Sequence, residues 1–240
     1  MYLLKDIIFS KFLRLIKSWK KPYFDFSQLG EEKIINNILE RISHKHKFEK
    51  YYVDIGCYNP IRFSNTYKLY QKGWSGIVIE PNINKTKYWK SIRPNDLIIN
   101  SALVPESYGG KTIEIYKNGD NDPTESTIKK NSESQKYHSK IIKLSDINLI
   151  CEKKLIKPFF LNIDIEASED KIILDLKNIK HVFPLICVEL LINESDNFSI
   201  FNYKNLESVK FLENNGYYLV SVCGVSLIFC HKQFWVPYFR

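Results

Sequence analysis

Residues 53–66, VDIGCYNPIRFSNT, run into 67–80, YKLYQKGWSGIVIE, and together they spell one β-α-β unit. A strand over 51–55 leads past Asp54 to Gly56, Asn59 and Pro60 make a turn, and a helix is expected from a cap near Ser64 or Asn65. Gly73 closes that helix. Gly76 opens the next strand, whose Ile77, Val78 and Ile79 lead to Glu80, 26 residues after Asp54. Parallel neighbours finish at the same edge of a sheet, so Glu80 is expected beside the turn that follows the first strand. An acid placed there can accept both hydroxyls of a ribose, and Gly56 lets a ligand approach the backbone with no Cβ in the way.

Dinucleotide sites use several glycines to cradle a pyrophosphate, whereas Asp54, Gly56 and Asn59 offer one. A nucleoside that lacks a pyrophosphate fits better, and S-adenosylmethionine is the common one. The alternative is a strand-to-helix turn that needs its glycine for geometry alone.

At 240 residues the chain is long enough for one α/β domain with a buried core and short extensions. Its formal charge of +8 comes from 35 Lys and Arg against 27 acids. No basic run exceeds two residues and no aromatic-basic motif of an RNA module occurs, so nucleic acid is not an expected partner. The 5 cysteines, Cys57, Cys151, Cys187, Cys223 and Cys230, form no C-x-x-C pair and are odd in number. Buried reduced thiols in a cytoplasmic protein are the expectation. His44, His46, His138, His181 and His231 make no ligand spacing with them, so no metal site is expected.

Residues 2–21 place Leu4, Ile8, Phe12, Leu15, Ile16 and Trp19 along one helical face, with Asp6, Ser10, Arg14, Lys17 and Lys21 largely opposite. The charges forbid a spanning helix. Two readings remain: a basic amphipathic helix lying on the inner face of an anionic membrane, or a helix packed on its own domain or on a second subunit of a homo-oligomer. A second helix is expected over 28–46, a third strand over 97–103 and a further strand over 112–116. The polar stretch 117–139 has little to bury and is expected as a mobile loop bordering the acceptor site. A short helix over 143–151 precedes the apolar run 159–166, which ends in Asp164 and Glu166, and a helix begins at about Ser168. A buried strand over 184–191, another helix, and two strands over 217–222 and 225–231 joined at Cys223 and Gly224 complete the chain.

Alternating strands and helices closed by a hairpin imply an open, mostly parallel sheet whose last strand inserts antiparallel. Ligands bind such sheets at the carboxyl ends of the strands, near the switch in strand order. Asp54, Glu80, Ser101, Asp164 and Glu166 all fall at those ends.

Four blocks carry a family likeness: VDIGCYNPIRFSNTYKLYQKGWSGIVIEPN (53–82), SAL (101–103), IKLSDI (142–147) leading to FLNIDIEASEDKIIL (160–174), and GYYLVSVCGVSLIFCHK (216–232). The chain resembles the FkbM-type S-adenosylmethionine-dependent methyltransferases over about residues 50–232. That resemblance implies a class I methyltransferase (Rossmann-like) fold with a seven-stranded sheet over 49–235, preceded by a helical extension over 1–48. It further implies the methionine part of the cofactor near 54–59, with Asp54, Gly56 and Asn59, the ribose on Glu80, and Asn82 with Ser101 and Ala102 by the adenine. Asp164 and Glu166 match the acidic pair of the family's Asp-x-Glu-Gly motif, with Ala167 in the place of the glycine. Members commonly methylate hydroxyl oxygens of sugars and natural products, which implies a saccharide or glycan-precursor acceptor here.

O-methylation requires an acceptor oxygen aligned with the S–CH3 bond and a group that removes its proton. Glu166 is the expected general base or acceptor orienter, with Asp164 orienting donor or acceptor, while the alternative makes Glu166 a helix-start acid. Two other functions stay open: a binding or scaffold protein of the same fold that has lost transfer, and methylation of a protein or nucleic acid. The retained Asp54, Gly56, Glu80 and Asp164 argue against the scaffold. The run Ile163, Asp164, Ile165, Glu166 is unlike the Asn/Asp-Pro-Pro-aromatic motif of many nucleic-acid base methylases.

Overall fold

The computed structural model describes residues 25–117, 125–126, 135–165, 168–190 and 200–236. The expected helix over 2–21, Glu166 and Ala167, and 118–124 and 127–134 of the polar stretch lie outside the described residues. In chain order the first half contains α1 (Glu31–Ser43), β1 (Tyr51–Ile55), α2 (Tyr67–Gln71), β2 (Ser75–Ile79), α3 (Ile83–Thr86), α4 (Trp89–Ile92), β3 (Leu97–Ile99), β4 (Ala102–Leu103) and β5 (Thr112–Lys117). The second half contains β6 (Glu125–Ser126), β7 (Gln135–Ile142), α5 (Leu144–Lys154), β8 (Phe160–Ile163), α6 (Glu169–Asp175), β9 (Leu185–Glu189), α7 (Ile200–Tyr203), α8 (Glu207–Asn214), β10 (Tyr217–Cys223) and β11 (Ser226–His231). Among the described residues no helix is long and apolar enough to cross a membrane.

Seven strands form one sheet in the order β10, β11, β9, β8, β1, β2, β3. All run parallel except β11, which is antiparallel to both of its neighbours. The expected open, mostly parallel sheet with an antiparallel last strand is therefore present. Its central strands read as near-continuous apolar runs because both faces are covered. Val53, Ile55, Leu161, Ile163, Ile186 and Val188 pack with Ile147, Ile172 and Val209 on one face. Tyr52, Val78, Phe160 and Leu185 pack with Ile35, Ile38, Leu39 and Ile42 of α1, and with Trp74 and Trp89, on the other. All 5 cysteines are buried and free. Burial pushes the thiols of Cys57 and Cys187 well above the ordinary range, which keeps them protonated and unreactive.

The strand expected over 97–103 is two strands. β3 ends at Ile99, the Asn100 amide turns inward to donate to the Glu80 carbonyl at 3.1 Å and to Thr86 Oγ1 at 2.8 Å, and β4 then pairs with β7 instead of β2. The polar stretch also departs from expectation, since residues 135–139 begin β7, which pairs antiparallel with β5 from Thr112 opposite Lys140 to Lys117 opposite Gln135. Backbone hydrogen bonds make this pairing, so side-chain polarity hid it. Helix α1 starts later than expected because Gly30 at φ 95° sets its first turn, and the last hairpin turns at Gly224, where φ is 57°, and Val225.

The order of strands reverses between β1 and β8, and Gly56 sits at that switch. Its φ is 76°, and a Cβ there would overlap the Asp164 carbonyl oxygen at the end of β8. The glycine is thus demanded by the close approach of two protein backbones as well as by its left-handed conformation. Gly73, at φ 84°, has nothing within 4 Å of where a Cβ would sit. Gly73→Ala should therefore cost only the left-handed penalty, about 1–2 kcal/mol, whereas Gly56→Ala should cost clearly more. Urea unfolding of both variants checks this, and equal losses would show that Asp164 yields without penalty.

Candidate active site

Four of the expected site residues meet where β2, β1 and β8 end. Glu80 leaves β2, Asp54 and Gly56 belong to β1 and its exit, and Asp164 follows β8, its N–H donating to the Ile55 carbonyl at 3.0 Å. Glu80 is 4% exposed and clasps both neighbouring loops: its Oε2 accepts the Tyr58 N–H at 3.1 Å and its Oε1 the Asn82 N–H at 3.0 Å. Asn82 caps α3 by accepting the Asn84 N–H on Oδ1 at 2.9 Å. Ser101 and Ala102 are buried beyond β3, joined to Glu80 through the Asn100 amide. Asn59 shapes the turn after β1, its Oδ1 accepting from the N–H groups of Ile61 at 2.9 Å and Arg62 at 3.0 Å. Glu166 lies outside the described residues.

Asp54 points into the interior and is 2% exposed. Thr66 donates its hydroxyl to Asp54 Oδ2, and the amide of Asn162, its register partner on β8, donates to Oδ1 at 2.9 Å. Burial pushes the Asp54 carboxyl above its ordinary range, opposed by the bond from Thr66, the charge of Arg93 and the bond from Asn162. Asn65 extends the chain by donating to Asn162 Oδ1 at 2.9 Å.

Arg93 underlies this arrangement with no exposed surface. Its Nε donates to the Pro60 carbonyl at 2.6 Å, one Nη to Ser64 Oγ at 2.7 Å and the other to Thr66 Oγ1 at 2.8 Å. The guanidinium also lies 3.8 Å from Asp96, whose carboxylate accepts from the Tyr52 hydroxyl, the Gly76 N–H and the Trp89 indole. Sequence reading missed Arg93, Thr66, Asn65 and Asn162. Asn162 had a signal, as an amide inside an otherwise apolar strand, but nothing in the run around Arg93 marks it as buried.

Beside this network a pocket opens at the ends of β8 and β9, lined by Phe63, Asn65, Asn162, Asp164 and Glu189, with Gln28 and Glu31 from ahead of α1 and its first turn. The turn after β1 spends its own amides. Gly56 and Cys57 donate to the Ile79 carbonyl, Tyr58 to Glu80, and Ile61 and Arg62 to Asn59. It therefore offers no nest of N–H groups to a pyrophosphate.

Removing one member of a buried charge pair costs about 3–5 kcal/mol, so Arg93→Ala should lose that much folding stability. Arg93→Lys should recover only part, since a single ammonium cannot serve Pro60, Ser64, Thr66 and Asp96 in one plane. Chemical denaturation of the two variants measures both. A fully stable Arg93→Lys protein would mean that charge alone suffices.

No curated protein matches the chain at a significant level. The family model described as the methyltransferase FkbM domain matches residues 54–219, from the buried Asp54 on β1 to Leu219 on β10, and so takes in Gly56, Glu80, Arg93 and Asp164. The strand-end acids and the crossing at Gly56 thus fall within one shared domain, together with all of the presenting sheet except β11, the end of β10 and the first residues of β1, and the chain belongs to the FkbM methyltransferase family.

Proposed function

We propose that this methyltransferase uses S-adenosylmethionine to methylate a hydroxyl of a saccharide or surface-glycan precursor. The observation that carries the donor assignment is the turn after β1, whose amides at Gly56, Cys57, Tyr58, Ile61 and Arg62 are satisfied within the protein while an acid, Glu80, stands beside it. A nucleoside with no pyrophosphate suits that donor set. When bound, S-adenosylmethionine supplies a methyl group on a sulfonium, an electrophile that needs no further activation.

The chain's residues then have three tasks. Glu80 would accept from the ribose hydroxyls, its carboxylate oriented by the N–H groups of Tyr58 and Asn82. Gly56 and Asn59 set the path of the backbone beside the donor's methionine part, with Asp54 held below as a support for Thr66. Asn82, Ser101 and Ala102 border the adenine. Asp164, which lines the pocket, would orient the acceptor, and Glu166, two residues on, would take the hydroxyl proton as the methyl group passes from sulfur to oxygen.

Glu80→Ala should weaken S-adenosylmethionine at least tenfold, because each hydrogen bond to a charged group is worth about 1.5–3 kcal/mol. Calorimetry on the folded variant reads this directly. NAD binding with no response to S-adenosylmethionine would overturn the donor assignment.

Glu166→Gln keeps size and polarity but cannot accept the proton. With a methyl glycoside that the wild type methylates, its turnover should fall by about 10²–10⁴ while donor affinity stays close to wild type. A near-normal rate across pH would remove Glu166 from the proton transfer.

A further inference from the structure

Phe63 is an anomaly on packing grounds. Phe63 is 47% exposed, and its backbone is held at φ 53°, a left-handed conformation that disfavours a bulky residue. The anchors for that strained turn are the bonds from Arg93 to Pro60 and Ser64 on either side. The ring borders the pocket, with the Tyr58 ring centroid at 6.1 Å and the Arg62 guanidinium at 5.5 Å.

Further lining, Gln28 and Glu31, comes from a strap, residues 25–31, which precedes the family domain at 54–219. The strap is fastened at several points. Phe26 N–H donates to Glu32 at 2.8 Å, Leu29 N–H donates to Glu31 Oε2 at 2.8 Å, and Ser226 at the start of β11 donates to Glu31 Oε1 at 3.0 Å. Glu31 is thus a fixed, 2% exposed acceptor that lines the same pocket as the exposed Phe63. The remaining lining supplies further carboxylates, amides and a hydroxyl, and no basic side chain among the described residues.

We propose that Phe63 and Glu31 form a sugar-ring subsite of the acceptor pocket, Phe63 stacking on the C–H face of a neutral sugar while Glu31 accepts from its hydroxyls. An aromatic face attracts the weakly positive C–H groups of a pyranose, and carboxylates accept from hydroxyls while repelling a carboxylate or phosphate on the ligand. Acceptor choice is then set partly by residues outside the domain that holds the donor. This rests on the methyl-transfer reading above, and extends it by naming the surface that selects the acceptor.

The test loads the full chain with S-adenosylhomocysteine, followed by calorimetry, and then applies saturation-transfer NMR with methyl glycosides of glucose, galactose and rhamnose, against glucuronate. Expected is transfer to the ring C–H protons of at least one neutral glycoside, and at least fivefold weaker transfer to glucuronate. Phe63→Tyr should retain the signal. Phe63→Leu, which keeps apolar area without an aromatic face, should lose most of it, and Glu31→Gln should weaken the glycoside by about tenfold. S-adenosylhomocysteine affinity should stay unchanged in all three, which a general loss of folding would not allow. Failure of every neutral glycoside to bind the loaded protein, a preference for glucuronate, or full binding by Phe63→Leu overturns the subsite while leaving methyl transfer intact. Failure of S-adenosylhomocysteine itself to bind overturns the methyl-transfer reading, and the subsite with it.

Discussion

A guanidinium with no exposed surface must find acceptors for its N–H groups inside the protein, and in this chain those acceptors are the parts of the site that need positioning. Arg93 reaches the Pro60 carbonyl and the hydroxyls of Ser64 and Thr66, so one planar fork spans the turn that leads from β1 into α2. The Ser64 hydroxyl also accepts the Tyr67 N–H at the start of α2, and the Thr66 hydroxyl passes the contact on to Asp54. Two non-glycine residues of that turn, Tyr58 and Phe63, adopt left-handed angles. Strain of this kind persists only where surrounding contacts over-determine the backbone, and the Arg93 network supplies those contacts.

The network also explains why similar acids do different jobs. Asp54 and Asp96 sit inside, with donors directed at them from several elements; burial raises both carboxyls, and for Asp96 the Arg93 charge is the largest opposing influence. Glu80 stands at the sheet edge and is gripped by amides from two loops. Asp164 and Glu31 face the pocket. All four of Asp54, Asp96, Glu80 and Glu31 are buried, so it is the lining of the pocket by Asp164 and Glu31, and not depth, that sets them apart from the acids that shape the interior.

The proposed donor and acceptor sides have different structural origins. The donor side is formed by β1, β2 and the loops that follow them, all within 54–219 apart from the first residues of β1. The pocket proposed for the acceptor borrows Gln28 and Glu31 from the chain ahead of that domain and Ser226 from beyond it. On that proposal, the family core keeps its donor chemistry while such additions alter what is methylated.

Much of this was legible from the chain because it depends on near neighbours. The apolar runs of β1, β2, β8 and β9 announce buried parallel strands, and the spacing of Gly56, Gly73, Gly76 and Glu80 sets one β-α-β unit, since glycine conformations and strand-end positions follow from a few adjacent residues. Tertiary structure decided the rest. Asp54 meets Asn162 across 108 positions and Ser226 meets Glu31 across 195, pairings that no local pattern encodes. Arg93 looks like any surface arginine until Trp89, Tyr67 and Tyr70 close around it. The split after Ile99 and the polar strand β7 arise because backbone groups pair with whatever strand the fold brings alongside, a choice made by long-range geometry rather than by side-chain polarity.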